Sequence, residues 1–270
     1  MSFVGARWWK FDFHTHTPAS FDYGKTDSSL KASKTAKDWL LDYIAKGIEC
    51  VAVTDHNTGD WIDNLKDEAE NLRAEGYSIF VFPGVEVTAN SNIHILGIFD
   101  PCATSADISA VIGASKFRGT KGDSDSVAEE SAENVIKEII SAGGVAIPAH
   151  IDMKAGLCQQ HSSHTIGQVC KHANAVEIIF PDQERADAPL SRYTNLNFDL
   201  PSIIGSDAHH PNDIGRAYTW VKMSTPSIEG LKLALVDGSS SIIRSDNETT
   251  DPNSSSSTLL HSVTIENAKY

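Results

Sequence analysis

The chain has no cysteine pair at C-x-x-C spacing: Cys50, Cys102, Cys158 and Cys170 stand far apart, each in or beside an apolar segment. Reduced, buried thiols in a cytosolic protein are therefore expected. Cations are also in short supply. Asp and Glu number 36 against 22 Lys and Arg, a formal charge of −14, which argues against broad nonspecific duplex binding, since that needs a basic face. Bound divalent metals would neutralise part of that acidity. No apolar run approaches bilayer length, and the N-terminus lacks a basic stretch followed by an apolar one. The expectation is a cytoplasmic protein with no membrane partner. No internal repeat and no Walker-type Gly-rich loop is visible. What is present, 270 residues at 40% hydrophobic content, suffices for one large α/β domain or two modest ones.

The first informative stretch is Trp8-Trp9-Lys10-Phe11-Asp12-Phe13-His14-Thr15-His16-Thr17. It reads as a short apolar strand ending in two histidines at i and i+2, a spacing that points both imidazoles to one face. The same grammar recurs. A polar loop over 17–33 leads to a helix with Ser33 or Thr35 as N-cap, Trp39, Leu40, Tyr43 and Ile44 on one face, and Gly47 as its stop. The strand 49–53 delivers Thr54-Asp55-His56-Asn57, and an amphipathic helix over 58–75 follows. Ile79–Phe82 runs through Pro83-Gly84 to Val85-Glu86-Val87, and strand 93–98 carries His94. Helices at 104–114 and around 135–140 flank a Gly/Ser/Asp loop. Strand 145–149 delivers His150, and strand 202–204 delivers Gly205-Ser206-Asp207-Ala208-His209. A helix near 165–172, a strand at 175–179, a strand at 217–222 and a helix at 226–236 complete the pattern.

This alternation is the signature of an α/β architecture with parallel strands, and about seven units fit, which favours a barrel over an open sheet. In such barrels the working residues sit at C-terminal strand ends. Residues 1–244 would form the barrel, 245–258 a flexible Ser/Asn/Asp linker, and 259–270 the start of a second domain or a docking tail.

Nine residues stand out: His14, His16, Asp22, His56, Glu86, His94, His150, Asp207 and His209. One ion needs roughly four to six ligands, so this set suits two to three divalent metals. Mixed imidazole and carboxylate donors favour Zn, Mn or Fe over Mg alone. Clustered metals support hydrolysis of a phosphate ester by a bridging hydroxide. Asp12 and Asp55 read as carboxylates that orient the ligands. Taken singly, His94 would pass for a core histidine; His161, His164, His172, His210 and His261 read as surface residues, and Glu177 as core-edge or supporting.

The run His14-Thr-His16-Thr with Asp22, then Thr54-Asp55-His56, Gly84-Val85-Glu86, Ile93-His94, Ala149-His150 and Gly205-Ser206-Asp207-Ala208-His209 resembles the polymerase-and-histidinol-phosphatase (PHP) superfamily over residues 8–236. That resemblance implies a distorted (β/α)7 barrel with a trinuclear site. It assigns His14, His16, Glu86 and Asp207 to one metal, Glu86, His94 and His150 to a second, and Asp22, His56 and His209 to a third. Asp22 departs from many relatives, which carry histidine there. The segments Phe11–Tyr23, Gly119–Asp125, Thr219–Met223 and Ile265–Tyr270 further resemble the N-terminal domain of TrlF-like AAA-family ATPases, which implies a C-terminal ATPase domain as partner.

The resulting expectation is a metal-dependent phosphoesterase acting on a nucleotide or a single-stranded nucleic-acid end. Lys25, Lys121 and Arg216 are candidate phosphate contacts. The alternatives are a phosphatase of small phosphorylated metabolites such as histidinol phosphate, and a non-catalytic, metal-stabilised regulatory module.

Overall fold

A computed structural model of the chain describes residues 5–25, 27–180 and 190–254. The segment 259–270, expected to open a second domain, and His261 lie outside the described residues.

Three strands build the parallel heart of the sheet: β1 (Arg7–Thr15), β2 (Cys50–Val53) and β3 (Phe80–Ala89). Between them run α1 (Ser28–Ser33), α2 (Ala36–Ala45) and α3 (Ile62–Ala74). Thr35 caps α2 by accepting from the Asp38 N–H, and Gly47 at φ +70 turns the chain out of it. Helix α1 falls inside the stretch expected to be loop. Asp27 starts it by accepting from the Ser29 and Leu30 amides, and Leu30 packs against the core.

Strand β4 (Ile93–Ile98) is antiparallel to both β3 and β5 (Val145–Pro148), so the sheet is mixed rather than parallel. The cause is loop length. Only Asn90, Ser91 and Asn92 separate β3 from β4, with Ser91 at φ +71 and Asn92 at φ +56, whereas a parallel return needs a crossover of about a dozen residues. Strands β4 and β5 are linked through α4 (Ser105–Ala114) and α5 (Ala132–Ser141). Beyond β5 come α6 (Leu157–Gln160), α7 (Ser163–Cys170), β6 (Val176–Glu177), α8 (Ser191–Thr194) and β7 (Ser202–Ile203). The chain closes with β8 (Thr219–Met223), α9 (Ile228–Asp237) and β9 (Ile242–Arg244).

The seven-stranded order is β5-β4-β3-β2-β1-β8-β9, and the parallel pair β6-β7 fills the gap between its two ends. On the β5 side Asn174 N–H donates to Ala146 O at 2.9 Å. On the β8 side Thr219 Oγ1 accepts from Ile204 N at 3.0 Å and donates to Ile204 O at 2.9 Å. The result is a curled, incompletely closed barrel.

Two apolar layers follow from this curl. Phe11, Phe13, Ala52, Phe82, Leu96, Ile147, Ala175 and Ile203 face one another inside the barrel, plugged at one end by Leu231 and Leu235 of α9. Val51, Val53, Val81 and Val85 face outward against Trp39, Leu65, Leu72 and Ile136 of the surrounding helices. Cys50, Cys158 and Cys170 are buried free thiols as expected; Cys102 is exposed. Residues 245–254, expected to be part of a flexible linker, are fastened to the barrel. Asn253 Oδ1 accepts from Trp8 N and its Nδ2 donates to Trp8 O, both at 2.9 Å, and Trp220 Nε1 donates to Glu248 O at 3.1 Å.

Candidate metal centre

The β1–β2 register slips by one residue between Asp12 and Thr15, a bulge that spans His14. Bulges re-aim side chains at strand ends. Here the rings of His14 and His16 still converge, with centroids 5.1 Å apart. Single bridging pairs extend the ladder past the named strands: Thr15 with Ala208, and His56 with Glu86. They lock the post-strand segments that carry His16, His56 and Asp207 beside one another.

All nine residues singled out from the sequence meet at this mouth, around the Glu86 carboxylate. Glu86 is only 1% exposed. Its Oε1 lies 2.7 Å from His94 Nδ1 and 3.1 Å from His150 Nε2. Its Oε2 lies 3.2 Å from His14 Nε2, 3.5 Å from His16 Nε2 and 2.9 Å from His56 Nδ1. Asp207 Oδ1 stands 3.3 Å from His16 Nε2 and 3.5 Å from His14 Nε2. Asp22 Oδ2 is 3.2 Å from Nε2 of both His56 and His209. His94 reaches the mouth because β4 runs antiparallel, which puts the start of that strand, rather than its end, at the site.

Charge alone does not account for these contacts. Glu86 and Asp207 are held ionised: burial would raise their carboxyls, but the surrounding imidazoles lower them well below the usual range. Burial would lower His56, and the charges of Glu86 and Asp22 instead raise it to about 10. His14 is raised in the same way against its burial, by Glu177, Asp207 and Glu86. His16 moves the opposite way. Burial lowers it well below the usual imidazole range, and the neighbouring His209 and His56 lower it further, so it is a neutral ring.

Hydrogen bonds set which nitrogen of His16 is free. Ser20 Oγ donates to Asp55 Oδ1 at 2.7 Å, so it accepts from His16 Nδ1 at 2.9 Å and from the His56 N–H at 3.2 Å. The His16 proton is thereby fixed on Nδ1, leaving the Nε2 lone pair pointed into the cluster. That Nε2, His56 Nδ1 and Asp22 Oδ1 are buried atoms with no hydrogen-bond partner. His56 Nδ1 is within 2.9 Å of Glu86 Oε2 yet outside hydrogen-bond geometry. Buried lone pairs of imidazole and carboxylate left unmatched in this way fit divalent cations. Three trios have donor atoms all within 4.8 Å of one another: His14 with His16 and Glu86, His56 with Glu86 and His94, and His16 with His56 and His209.

Two of the nine hold backbone conformations that a non-glycine residue rarely adopts: His150 at φ +33 and Asp207 at φ +47. Such geometry costs on the order of 1–3 kcal/mol per residue and persists where the surroundings enforce it. Asp207 N–H donates to His14 O at 2.8 Å, and His150 N–H to Glu177 Oε2 at 2.9 Å.

Glu177 is the residue whose part sequence reasoning undervalued. Fully buried on β6, its Oε2 also accepts from His14 Nδ1 at 2.9 Å, fixing that ring with Nε2 toward Glu86. Ser20, a lone hydroxyl in a polar loop, carries no local signal of its part in holding His16. Asp12 Oδ1 accepts from the Ser206 N–H at 2.8 Å and orders the approach to Asp207; burial raises its carboxyl to about 7, with the Ser206 bonds opposing. Asp55 binds Thr17 N and Oγ1 at 2.7 and 2.6 Å, and reaches His16 only through Ser20.

The candidate phosphate contacts differ among themselves. Lys25 is exposed on the turn after Asp22. Lys121 precedes Gly122, whose N–H donates to His56 O at 2.8 Å, but its ammonium is met by Asp60 at 3.1 Å. Arg216 is exposed on a groove shared with Asp207. None of His161, His164, His172 and His210 belongs to these trios; His172 is 3.6 Å from Glu133, and His210 caps a short 3-10 turn.

Residues 191–239 match the family described as PHP-associated. No curated protein matches the sequence significantly. Among solved structures, the lesion-specific endonuclease Q of Pyrococcus furiosus is similar over 84% of this chain and 56% of its own, at 17% identity and a TM-score of 0.60. Endonuclease Q bound to a duplex with an abasic lesion at its active site is similar over 85% and 57%, at 18% identity and a TM-score of 0.60. A two-domain protein of Bacteroides vulgatus containing a predicted PHP-like metal-dependent phosphoesterase is similar over 86% and 63%, at 17% identity and a TM-score of 0.52. The chain thus spans a little over half of these proteins' length. In the fold of its barrel, and in sequence over its PHP-associated segment, this chain resembles the PHP superfamily.

Proposed function

We propose that the protein is a metal-dependent phosphoric ester hydrolase acting on a nucleotide or a single-stranded nucleic-acid end. The observation that carries this reading is one buried carboxylate, Glu86, approached by five imidazoles at 2.7–3.5 Å in the mouth of a barrel. The proposed ligand sets are His14, His16, Glu86 and Asp207; Glu86, His94 and His150; and Asp22, His56 and His209. Divalent metals bound there would activate water near neutral pH and neutralise phosphate oxygens.

The protein's own contribution is positional. Glu177 and Ser20 hold His14 and His16 in the Nδ1–H form, so that both present Nε2 to the centre. Asp22 holds His56 at Nε2 and Glu86 lies beside its Nδ1, which puts that ring between two of the proposed ligand sets. Depressed carboxyls at Glu86 and Asp207 stay anionic throughout the neutral range.

The endonuclease Q neighbour with lesion-bearing DNA at its active site supports a nucleic-acid substrate, and the −14 charge favours a free end or single strand over long duplex. A following ATPase domain rests on the sequence resemblance to TrlF-like proteins alone. The test is metal content by plasma mass spectrometry, without chelator or nickel affinity steps, together with turnover of bis-p-nitrophenyl phosphate. Two to three equivalents of Zn, Mn or Fe with turnover, both reduced in Asp207→Ala, support the proposal. Less than half an equivalent, unaltered in the variant and not restored by added metal, would leave a non-catalytic module. Turnover of histidinol phosphate but of no nucleotide would leave a metabolite phosphatase.

A further inference from the structure

A second feature adjoins the metal centre. An open groove of about 890 Å³ begins at Asp207 and is walled by Lys10, Lys46, Arg216, Tyr218 and Phe180. In a chain with 36 acidic against 22 basic residues, three cations in one groove are a local reversal of sign. The carboxylates among them are already engaged. Asp246 is gripped by Arg244 through two bonds of 2.9 and 2.7 Å, and Asp207 faces the imidazoles.

The wall is built rather than incidental. Lys10 Nζ donates to Lys46 O at 2.9 Å and sits 4.0 Å above the Tyr218 ring, tying β1 to the turn after α2. The Lys46 stem lies over Gly215, where an added Cβ would come within 3.1 Å of the Lys46 Cβ; Gly215 is at φ +78. That close approach places an exposed Lys46 next to Arg216, which is exposed and has no ion pair among the described residues. Across the groove, the Asp152 carboxylate accepts from the Ile179 and Phe180 amides at 2.9 and 2.7 Å. A fastened backbone therefore presents the Phe180 ring, which is 49% exposed.

We infer that this groove is a subsite for the unpaired nucleotides flanking the scissile phosphate, with a base stacked on Phe180 and the backbone crossing Arg216 and Lys46 toward Asp207. An aromatic face for bases beside cations for phosphates is the chemistry by which single strands are held without regard to sequence. A small phosphorylated metabolite has no base to occupy the ring. A duplex keeps its bases stacked within the helix, away from it. The inference rests on the phosphoesterase reading for its polarity, since the strand must run toward the metal centre.

The experiment is fluorescence anisotropy of a 5′-fluorescein oligo(dT) 10-mer on the metal-loaded protein, over a range of salt. Phe180→Ala should weaken binding about tenfold, within the range for one stacked base. Arg216→Glu should weaken it at least as much and flatten the salt dependence by about one phosphate contact. Leu233→Ala, exposed on α9, serves as the control without effect. Changes below twofold in both Phe180→Ala and Arg216→Glu, or equal affinity for a blunt duplex of the same length, overturn the inference. Metal content and bis-p-nitrophenyl phosphate turnover of the unsubstituted protein, measured alongside, keep the two readings apart. Their loss would sink the hydrolase reading, whereas a groove that ignores the strand while they persist sinks this inference alone.

Discussion

Replacing Glu177 should loosen the metal centre although no proposed ligand set includes it. Its Oε2 carries two bonds of 2.9 Å, one from His14 Nδ1 and one from the His150 N–H. Glu177→Ala leaves a buried imidazole N–H without an acceptor, so His14 can turn or shift its proton to Nε2 and withdraw its lone pair. It also removes the tether of a backbone held at φ +33. Carboxylates that orient ligand imidazoles contribute about 10–100-fold in metal affinity, roughly 1.4–2.7 kcal/mol. The double duty of Glu177 places the alanine variant toward the upper end. Glu177→Gln keeps an oxygen for both donors and loses only the charge, so about a tenfold loss is expected. Competition titration against a chromogenic zinc chelator reads both, with near-UV circular dichroism showing that the fold is retained. A folded Glu177→Ala protein whose affinity stays within twofold of the parent would refute the reasoning, because His14 would then need no orienting partner.

Three further outcomes follow from the same geometry. Metal-free protein should lose stability as pH climbs from about 6.5 toward 10. His56, raised from 6.5 to about 10, contributes stability that is complete below 6.5 and lost as pH climbs toward 10. Asp22, Glu86 and Asp207, depressed from ordinary values of 3.8 to 4.5, contribute above that range and lose it in acid; urea midpoints rising from pH 6.5 to 10 would contradict this. At Gly205 an added Cβ would meet His14 N and Cβ at 2.8 Å and Glu177 Oε1 at 3.0 Å. Gly205→Ala should therefore cost about 1–3 kcal/mol in urea unfolding and shed metal, and unchanged metal content would count against the placement of His14. On α9, Leu231→Ala should cost about 2–5 kcal/mol, since Leu231 plugs the barrel interior at 0% exposure. Leu233→Ala, at 68% exposure, should stay within about 0.5 kcal/mol; equal losses would mean that α9 has been placed with the wrong face inward.

The metal-ligand candidates were legible because their signal is local. An apolar run says where a strand lies, and a histidine or carboxylate just past its end says what the barrel mouth receives; His14, His16, His56, His150, Asp207 and His209 all follow that rule. The α/β class was legible for the same reason, since apolar periodicity changes between strand and helix along the chain. Strand direction was not. It hangs on the three-residue turn at Asn90–Asn92 and on the antiparallel return of β8 against β1, and pairing partners are chosen by the folded path rather than by the strand's own residues. Helix α1 was missed because a single Asp27 cap starts six residues that periodicity cannot register.

Supporting residues lay further beyond the sequence's reach. Glu177 stands 163 positions from His14, and Ser20 joins His16, His56 and Asp55 through one hydroxyl; nothing local in either marks it. The groove is the extreme case, because Lys10, Lys46, Phe180 and Arg216 come from four separate segments, and only barrel closure brings them to one wall. The candidate metal donors could be named from residue type and strand-end position, since donor chemistry belongs to the residue. Tertiary structure alone decided which lone pairs are aimed, which are locked by partners, and which cations stay free, since those depend on where distant parts of the chain are brought together.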